Sequence, residues 1–250
     1  MITKDLFKYF RFDLDEEMKE AEFYIGVKGA AIHQKILIHL GIDFSQEGQT
    51  IAWSKVSALL RYDKKLRDKI YIYLATLEEY LRAYISNKYE CIPDQSFWQD
   101  GRTDRSKVKT RIGDGEKVSD VLESIEFGDL MNQVKNLPSN DISVMFDYTI
   151  EIKSNLDAVR ILRNAVSHHS FLMGYKFRPC TVDGKKNDSL EHNIKNLRQL
   201  LPKEYRYGRN EKGGITAEIE NCKFEVKQDN NNDHTRQIMD LSNKDIIKMI

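Results

Sequence analysis

The stretch WSKVSALLRYDKKLRDKIYIYLATLEEYLRAYISNKY, Trp53 to Tyr89, contains neither glycine nor proline. Its apolar positions Val56, Leu59 and Leu60, then Leu66, Ile70, Tyr73, Leu74, Leu77, Leu81 and Ile85, recur every three or four residues. That period is the buried stripe of an amphipathic helix. A chain that spends so long a segment on one helix builds its core from helices. Tyr62-Asp63 is the expected point of division into two helices, and Pro93 lies beyond the end. Glu78 and Arg82 stand i, i+4 on this helix and read as an ion pair or as a reach toward a neighbouring helix. Tyr71, Tyr73, Tyr80, Tyr84 and Tyr89 read as cover for the core in preference to base-stacking platforms.

Upstream, Leu14 to Ala21 begins a helix that Asp13 or Asp15 would cap, with Gly26 and Gly29 as expected breaks. Ala30 to Leu40 resumes the pattern through Ile32, Ile36 and Leu37, and Gly41 is the stop. His33 and His39 on this helix read as packing or surface residues. GIDFSQEGQT, from Gly41, is a loop. Downstream, residues 95–115 form a basic segment with Arg102, Arg105, Lys107, Lys109 and Arg111, either a solvated loop or a phosphate-contacting arm. Val118 to Leu137 is helical, with Gly128 inside, and Pro138 and Asn140 make a turn. Asp141 to Met173 is a long helical stretch with an expected interruption around Glu151 to Asn155. Ser189 to Leu201 is a further helix. Ile215 to Lys227 alternates residue by residue, which predicts a small β-hairpin. QDNNND reads as a loop and SNKDIIKMI as a short helix. The fold class is therefore mainly α: a helical domain over residues 1–178 and a less regular C-terminal appendage over 179–250.

The chain has 250 residues, with 39 Lys+Arg against 39 Asp+Glu, so bulk charge gives no affinity for nucleic acid and any such affinity must be local. No apolar run approaches the roughly 18 residues of a membrane helix. The acidic N-terminus lacks the apolar core of a signal peptide. A cytoplasmic protein is expected. Cys91, Cys180 and Cys222 stand far apart without CxxC or His-ligand spacing, so neither a disulfide framework nor a metal or other cofactor is expected.

The chemistry-bearing segment is SNLDAVRILRNAVSHHSFLM, Ser154 to Met173. On a helix, Leu156, Val159, Leu162 and Val166 form an inward stripe, and Arg160, Asn164, Ser167 and His168 a second one. Arg163 lies about 100° from Asn164 and about 140° from His168, within reach of a shared groove for a long side chain. An imidazole near neutrality can move a proton during phosphodiester transfer. A guanidinium can hold the charge that develops on the phosphoryl oxygens. An amide can orient either one. The same residues also fit an ordinary exposed helix face.

The string Arg163-Asn164-Ala165-Val166-Ser167-His168 resembles the RNxxxH motif of HEPN ribonucleases, and His168-His169 resembles the paired histidines of Abi-like proteins, the AbiD/AbiF type of bacterial abortive-infection factors. Two earlier stretches are similar to the same family: TLEEYLRAYISNKY (Thr76 to Tyr89) and SIEFGDLMNQVKNLP (Ser124 to Pro138). The resemblance covers roughly Phe12 to Leu172. Ser167 stands where the family usually has alanine, and Ser170-Phe171-Leu172-Met173 replaces its common Arg-Leu-Trp-Asn.

The resemblance implies a HEPN helical bundle that dimerises so that two motif helices form one composite RNA-cleaving cleft. It implies a metal-independent endoribonuclease of an anti-phage system, in which the substrate's own 2′-OH attacks to leave a 2′,3′-cyclic phosphate. His168 would transfer protons, Arg163 would stabilise the phosphate and Asn164 would orient them. Arg160, His169, Glu79 and Arg82 would support this set. The partners expected are RNA, a second copy of the chain and an antitoxin protein or regulatory RNA. The alternatives are a non-catalytic HEPN module that binds RNA or a partner, and the toxin of a toxin–antitoxin pair. Tyr205-Arg206-Tyr207-Gly208-Arg209 is a further RNA-contact candidate, because aromatics and guanidiniums alternate there.

Overall fold

A computed structural model describes residues 3–89, 111, 114–146, 151–207, 214–228 and 247. The protein is mainly helical. It divides into two compact units, one of residues 1–70, 165–176 and 216–250 and the other of residues 71–164 and 177–215.

The first unit begins with a 3-10 turn, Thr3–Tyr9, and a two-residue strand β1 (Phe10–Arg11). Helices α1 (Asp15–Lys28) and α2 (Ala30–His39) follow. Strand β2 (Ile51–Ala52) pairs parallel with β1 and leads into α3 (Trp53–Tyr89). Trp53 is fully buried, with Phe10 edge-on at 5.2 Å and the His33 ring stacked at 6.0 Å. Leu6, Ile36, Leu37, Leu59, Tyr62 and Leu66 complete this core. The backbone N–H of Ile247 donates to the Tyr62 hydroxyl at 3.0 Å.

The second unit holds α3 from Tyr71 onward, α4 (Val118–Ser124), α5 (Phe127–Lys135), α6 (Ser139–Phe146) and α7 (Ile152–Ser167) through Asn164. Strands β3 (Cys180–Val182) and β4 (Lys185–Asn187) form an antiparallel hairpin, followed by α8 (Leu190–Leu200) and α9 (Lys203–Tyr207). Leu77, Leu81, Leu130, Val134, Leu156, Val159, Leu162 and Leu197 are buried here. The last described helix is α10 (Gly214–Gln228).

Helix α3 has the bounds that its stripe predicts, and all ten stripe residues are buried. It runs unbroken through Tyr62 and Asp63, because the Asp63 carboxylate is engaged by Arg67 one turn on instead of competing for the helix backbone. Helix α1 likewise passes through Gly26 and stops only at Gly29, whose φ of +84° a side chain would resist. Its N-cap is Leu14, without a side-chain cap, and neither Asp13 nor Asp15 takes that role. The Asp13 backbone N–H instead donates to Glu17 Oε2 at 2.8 Å. Between Val118 and Leu137 the break falls at Ile125-Glu126, and Gly128 lies inside α5.

The expected hairpin at Ile215–Lys227 is instead part of helix α10. Ile215, Ile219 and Cys222 are its fully buried residues, at i, i+4 and i+7, so the helical period overrides the alternation. The hairpin lies earlier, where Asp183-Gly184 makes a two-residue turn with φ of +50° and +72°. Asp-Gly is the sequence best suited to a turn that needs both residues at positive φ.

Candidate functional site

Helix α7 buries Leu156, Val159, Leu162 and Val166, as its apolar stripe requires. Several of its polar residues within the second unit are tied into the packing. The fully buried Asn155 donates through Nδ2 to Thr181 O at 2.8 Å and accepts from Thr181 N at 2.9 Å. Its own backbone carbonyl accepts from Asn196 Nδ2 at 2.9 Å. Asp157 pairs with Lys135 and, at 3.6 Å, with Arg178. Arg160 lays its Cδ against Gly128, 3.6 Å from where a β-carbon would stand. The Arg163 guanidinium lies 5.5 Å from the centre of the buried Phe127 ring, a cation–π contact.

Arg82 on α3 pairs with Glu78 at 2.5 Å and donates to Ile125 O at 3.0 Å. The second unit therefore joins the three stretches that carried the family resemblance, Arg82 meeting Ile125 and Phe127 meeting Arg163. Arg82 reaches the α4–α5 connection and not the motif helix. Arg160, Arg163 and Asn164 are half-buried, and Glu79 is exposed.

Helix α7 ends at Ser167, so His168 is not on its face, contrary to the helical stripe expected to include it, and His169 follows in the turn beyond. The end is a Schellman motif. Ser170 N–H donates to Ala165 O at 2.9 Å, and His169 N–H to Val166 O at 3.1 Å. His169 occupies the left-handed position with φ of +53°, where glycine is the usual residue. Both imidazoles are exposed.

Buried ionic contacts from α3 anchor this turn. Arg67 bonds the Asp63 carboxylate and donates to Ser170 O at 3.0 Å, while Asp63 Oδ1 accepts from Leu172 N at 2.7 Å. Burial pushes the Asp63 carboxyl up to about 6, against the pull of Arg67 and of the N–H groups of Leu172 and Met173.

Within the first unit, His168 and His169 line a groove of about 630 Å³. Lys28, Arg61, Lys64 and Arg67 line it as well, with Asp68 as the acid and Tyr24, Val27, Ile32 and Leu60 as the apolar part. Glu20 holds Arg61 at 3.1 Å and is itself fixed by Trp53 Nε1 at 3.0 Å and Ser57 Oγ at 3.3 Å. Burial, then Arg67 and Lys64 nearby, lower the Lys28 pKa, and Asp63 opposes them. Cations gathered around two imidazoles can hold a phosphodiester and pass it a proton.

The four groove cations were not among the residues the sequence singled out. For three of them the signal was present in Arg61-Tyr-Asp-Lys-Lys-Leu-Arg-Asp68, a charge-dense stretch inside an otherwise regular helix, but nothing in its spacing joined it to His168 or to Lys28 on α1. Of the basic segment, Arg102, Arg105, Lys107 and Lys109 lie outside the described residues, as does Cys91. Arg111 is described and forms a fork with Glu116, bonding its Nε at 2.9 Å to both carboxylate oxygens. In the Tyr205 segment, Tyr205 is exposed and Arg206 donates to Leu201 O, while Gly208 and Arg209 lie outside the description. Cys180 and Cys222 are buried thiols, and burial pushes Cys180 up to about 12. Among the described residues no group of three His, Cys, Asp or Glu side chains stands together to hold a metal, and no helix is long and apolar enough to cross a membrane.

No protein-family model matches the chain, and neither a curated protein nor a solved structure matches it.

Proposed function

We propose that the chain is a metal-independent endoribonuclease of the HEPN type, acting in the bacterial cytoplasm as an abortive-infection factor. The observation that carries this reading is the groove in which His168 and His169 face Lys28, Arg61, Lys64 and Arg67. His168 takes or returns the proton as the 2′-OH attacks its own phosphodiester, leaving a 2′,3′-cyclic phosphate and a free 5′-OH. The guanidinium and ammonium groups hold the charge that builds on the phosphoryl oxygens. His169, in the same groove, assists. Metal independence, anti-phage action and the roles of Arg163 and Asn164 enter through the RNxxxH resemblance. So does the second copy of the chain, since one motif per chain makes half of a two-motif cleft.

The test is incubation of the full chain with mixed-sequence RNA in EDTA, with the product ends identified. The expected outcome is cleavage to cyclic phosphates, lost by 10²-fold or more in both His168→Ala and Arg163→Ala with folding intact. Full activity in His168→Ala overturns the reading. The packing of Arg163 on Phe127 favours a second reading, an RNA-binding module that does not cut. Retained RNA binding without cleavage under all conditions would select it.

A further inference from the structure

The groove carries two kinds of surface at one short spacing. The Lys28 ammonium lies 5.5 Å from the centre of the Tyr24 ring, and both residues line the groove. The contact is a cation–π pair that holds an ammonium beside an aromatic side chain in one groove. Val27, Ile32 and Leu60 give the same groove an apolar lining, and Lys64 and Arg67 add to its cations. Asp63 acts on Lys28 with the opposite sign, and Asp68 is the acid in the groove lining. Burial lowers the Lys28 pKa first, and Arg67 and Lys64 add to it, a crowding of like charge that an anion would relieve.

We propose that this groove is a nucleotide subsite for single-stranded RNA, with the phosphate seated among Lys28, Lys64 and Arg67 and its base laid against Tyr24 and the apolar wall. The inference rests on the ribonuclease reading for what happens at His168, but not for binding itself. A base stacked in a duplex cannot present its face to Tyr24, so the site selects unpaired RNA. Stacking tolerates any base, because every base has a π-face, so selectivity for strandedness would exceed selectivity for sequence.

The experiment measures binding of a 2′-O-methyl RNA tetranucleotide, which lacks the attacking hydroxyl and so cannot be cut, to the full chain. An abasic tetranucleotide of equal phosphate count and a 2′-O-methyl duplex are the comparators. Tyr24→Leu should weaken the base-bearing strand about tenfold and leave the abasic one unchanged, and Tyr24→Phe should restore binding. Lys64→Gln should weaken both strands and flatten the salt dependence. Equal binding of abasic and base-bearing strands, or of duplex and single strand, overturns the proposal. So does a Tyr24→Leu variant that binds as the wild type does. Cleavage of the unmodified RNA is scored separately. The binding pattern without cleavage leaves the subsite standing and removes the ribonuclease reading, and cleavage without a Tyr24 effect does the reverse.

Discussion

Near its start helix α7 holds a polar residue that water cannot reach, and its end is followed at once by two that it can. Asn155, one residue into the second turn, is fully buried and makes hydrogen bonds with Thr181 in both directions. His168 and His169, just past the last turn, are exposed and line a cationic groove. A buried amide must find partners or lose the hydrogen bonds it had in water, so its place is set by folding. An exposed imidazole gains nothing for the fold from its position, and its placement among cations asks for a different reason. The first kind of polar residue reports on architecture, and the second on chemistry.

The difference can be broken by mutation, most strongly at the buried end. Asn155→Ala removes the partner of both the Thr181 N–H and its carbonyl at a partly buried site, and each such loss costs about 1–3 kcal/mol. A drop of about 4 kcal/mol in unfolding free energy is expected, read as a lower urea midpoint. His168→Ala should move the same midpoint by no more than about 0.5 kcal/mol, as a surface change does. A large loss of stability in His168→Ala would place that imidazole in the architecture and remove the contrast.

Legibility follows the same division. Helix α3 could be read from its bounds to its buried face, because a stripe of ten apolar residues over-determines a helix. The N-cap of α1 could not, since Asp13, Leu14 and Asp15 are adjacent and capping geometry picks among them only once the chain is folded. Ile215–Lys227 satisfies both the strand and the helix period, and only the burial of Ile219 and Cys222 decides between them. The Asp183-Gly184 turn was plain in the sequence as a short-range signal, yet weaker than the longer alternation that competed with it. Of the candidate site, His168 and His169 could be read from their motif. Lys28, Arg61, Lys64 and Arg67 could not, because they reach the groove from α1 and α3, at sequence distances of roughly a hundred residues or more that no local period spans.

The anchoring of the histidine turn gives a pH signature that sharpens the contrast. The folded Asp63 carboxyl sits near 6, above its ordinary 3.8, because burial outweighs Arg67. Between those values the folded chain keeps a proton that the unfolded chain has released, so this contribution to stability falls as pH rises from about 4 to about 6 and is level above that. Its size is about 3 kcal/mol at most. Most other carboxylates push the other way on acidification, so the effect is read as the difference between wild type and Asp63→Asn. The wild-type advantage should shrink across that interval. A difference that is flat, or that grows with pH, would mean that Arg67 outweighs burial and holds Asp63 ionised.

The smallest effect bears most directly on why a histidine occupies the end of α7. At φ of +53°, His169 stands where a side chain carries a steric penalty and glycine carries none. His169→Gly should therefore stabilise the chain by about 1 kcal/mol, a little less than the full penalty because glycine also gains freedom in the unfolded state. His169→Ala keeps the β-carbon and should leave stability unchanged. A left-handed histidine that weakens the fold persists where its ring is needed, and the groove supplies the need. The two variants should then agree in function while differing in stability, both losing RNA affinity or cleavage relative to the wild type. If His169→Gly is more stable and equally active, the ring serves no purpose in the groove, and His168 alone distinguishes this end of the helix from the other.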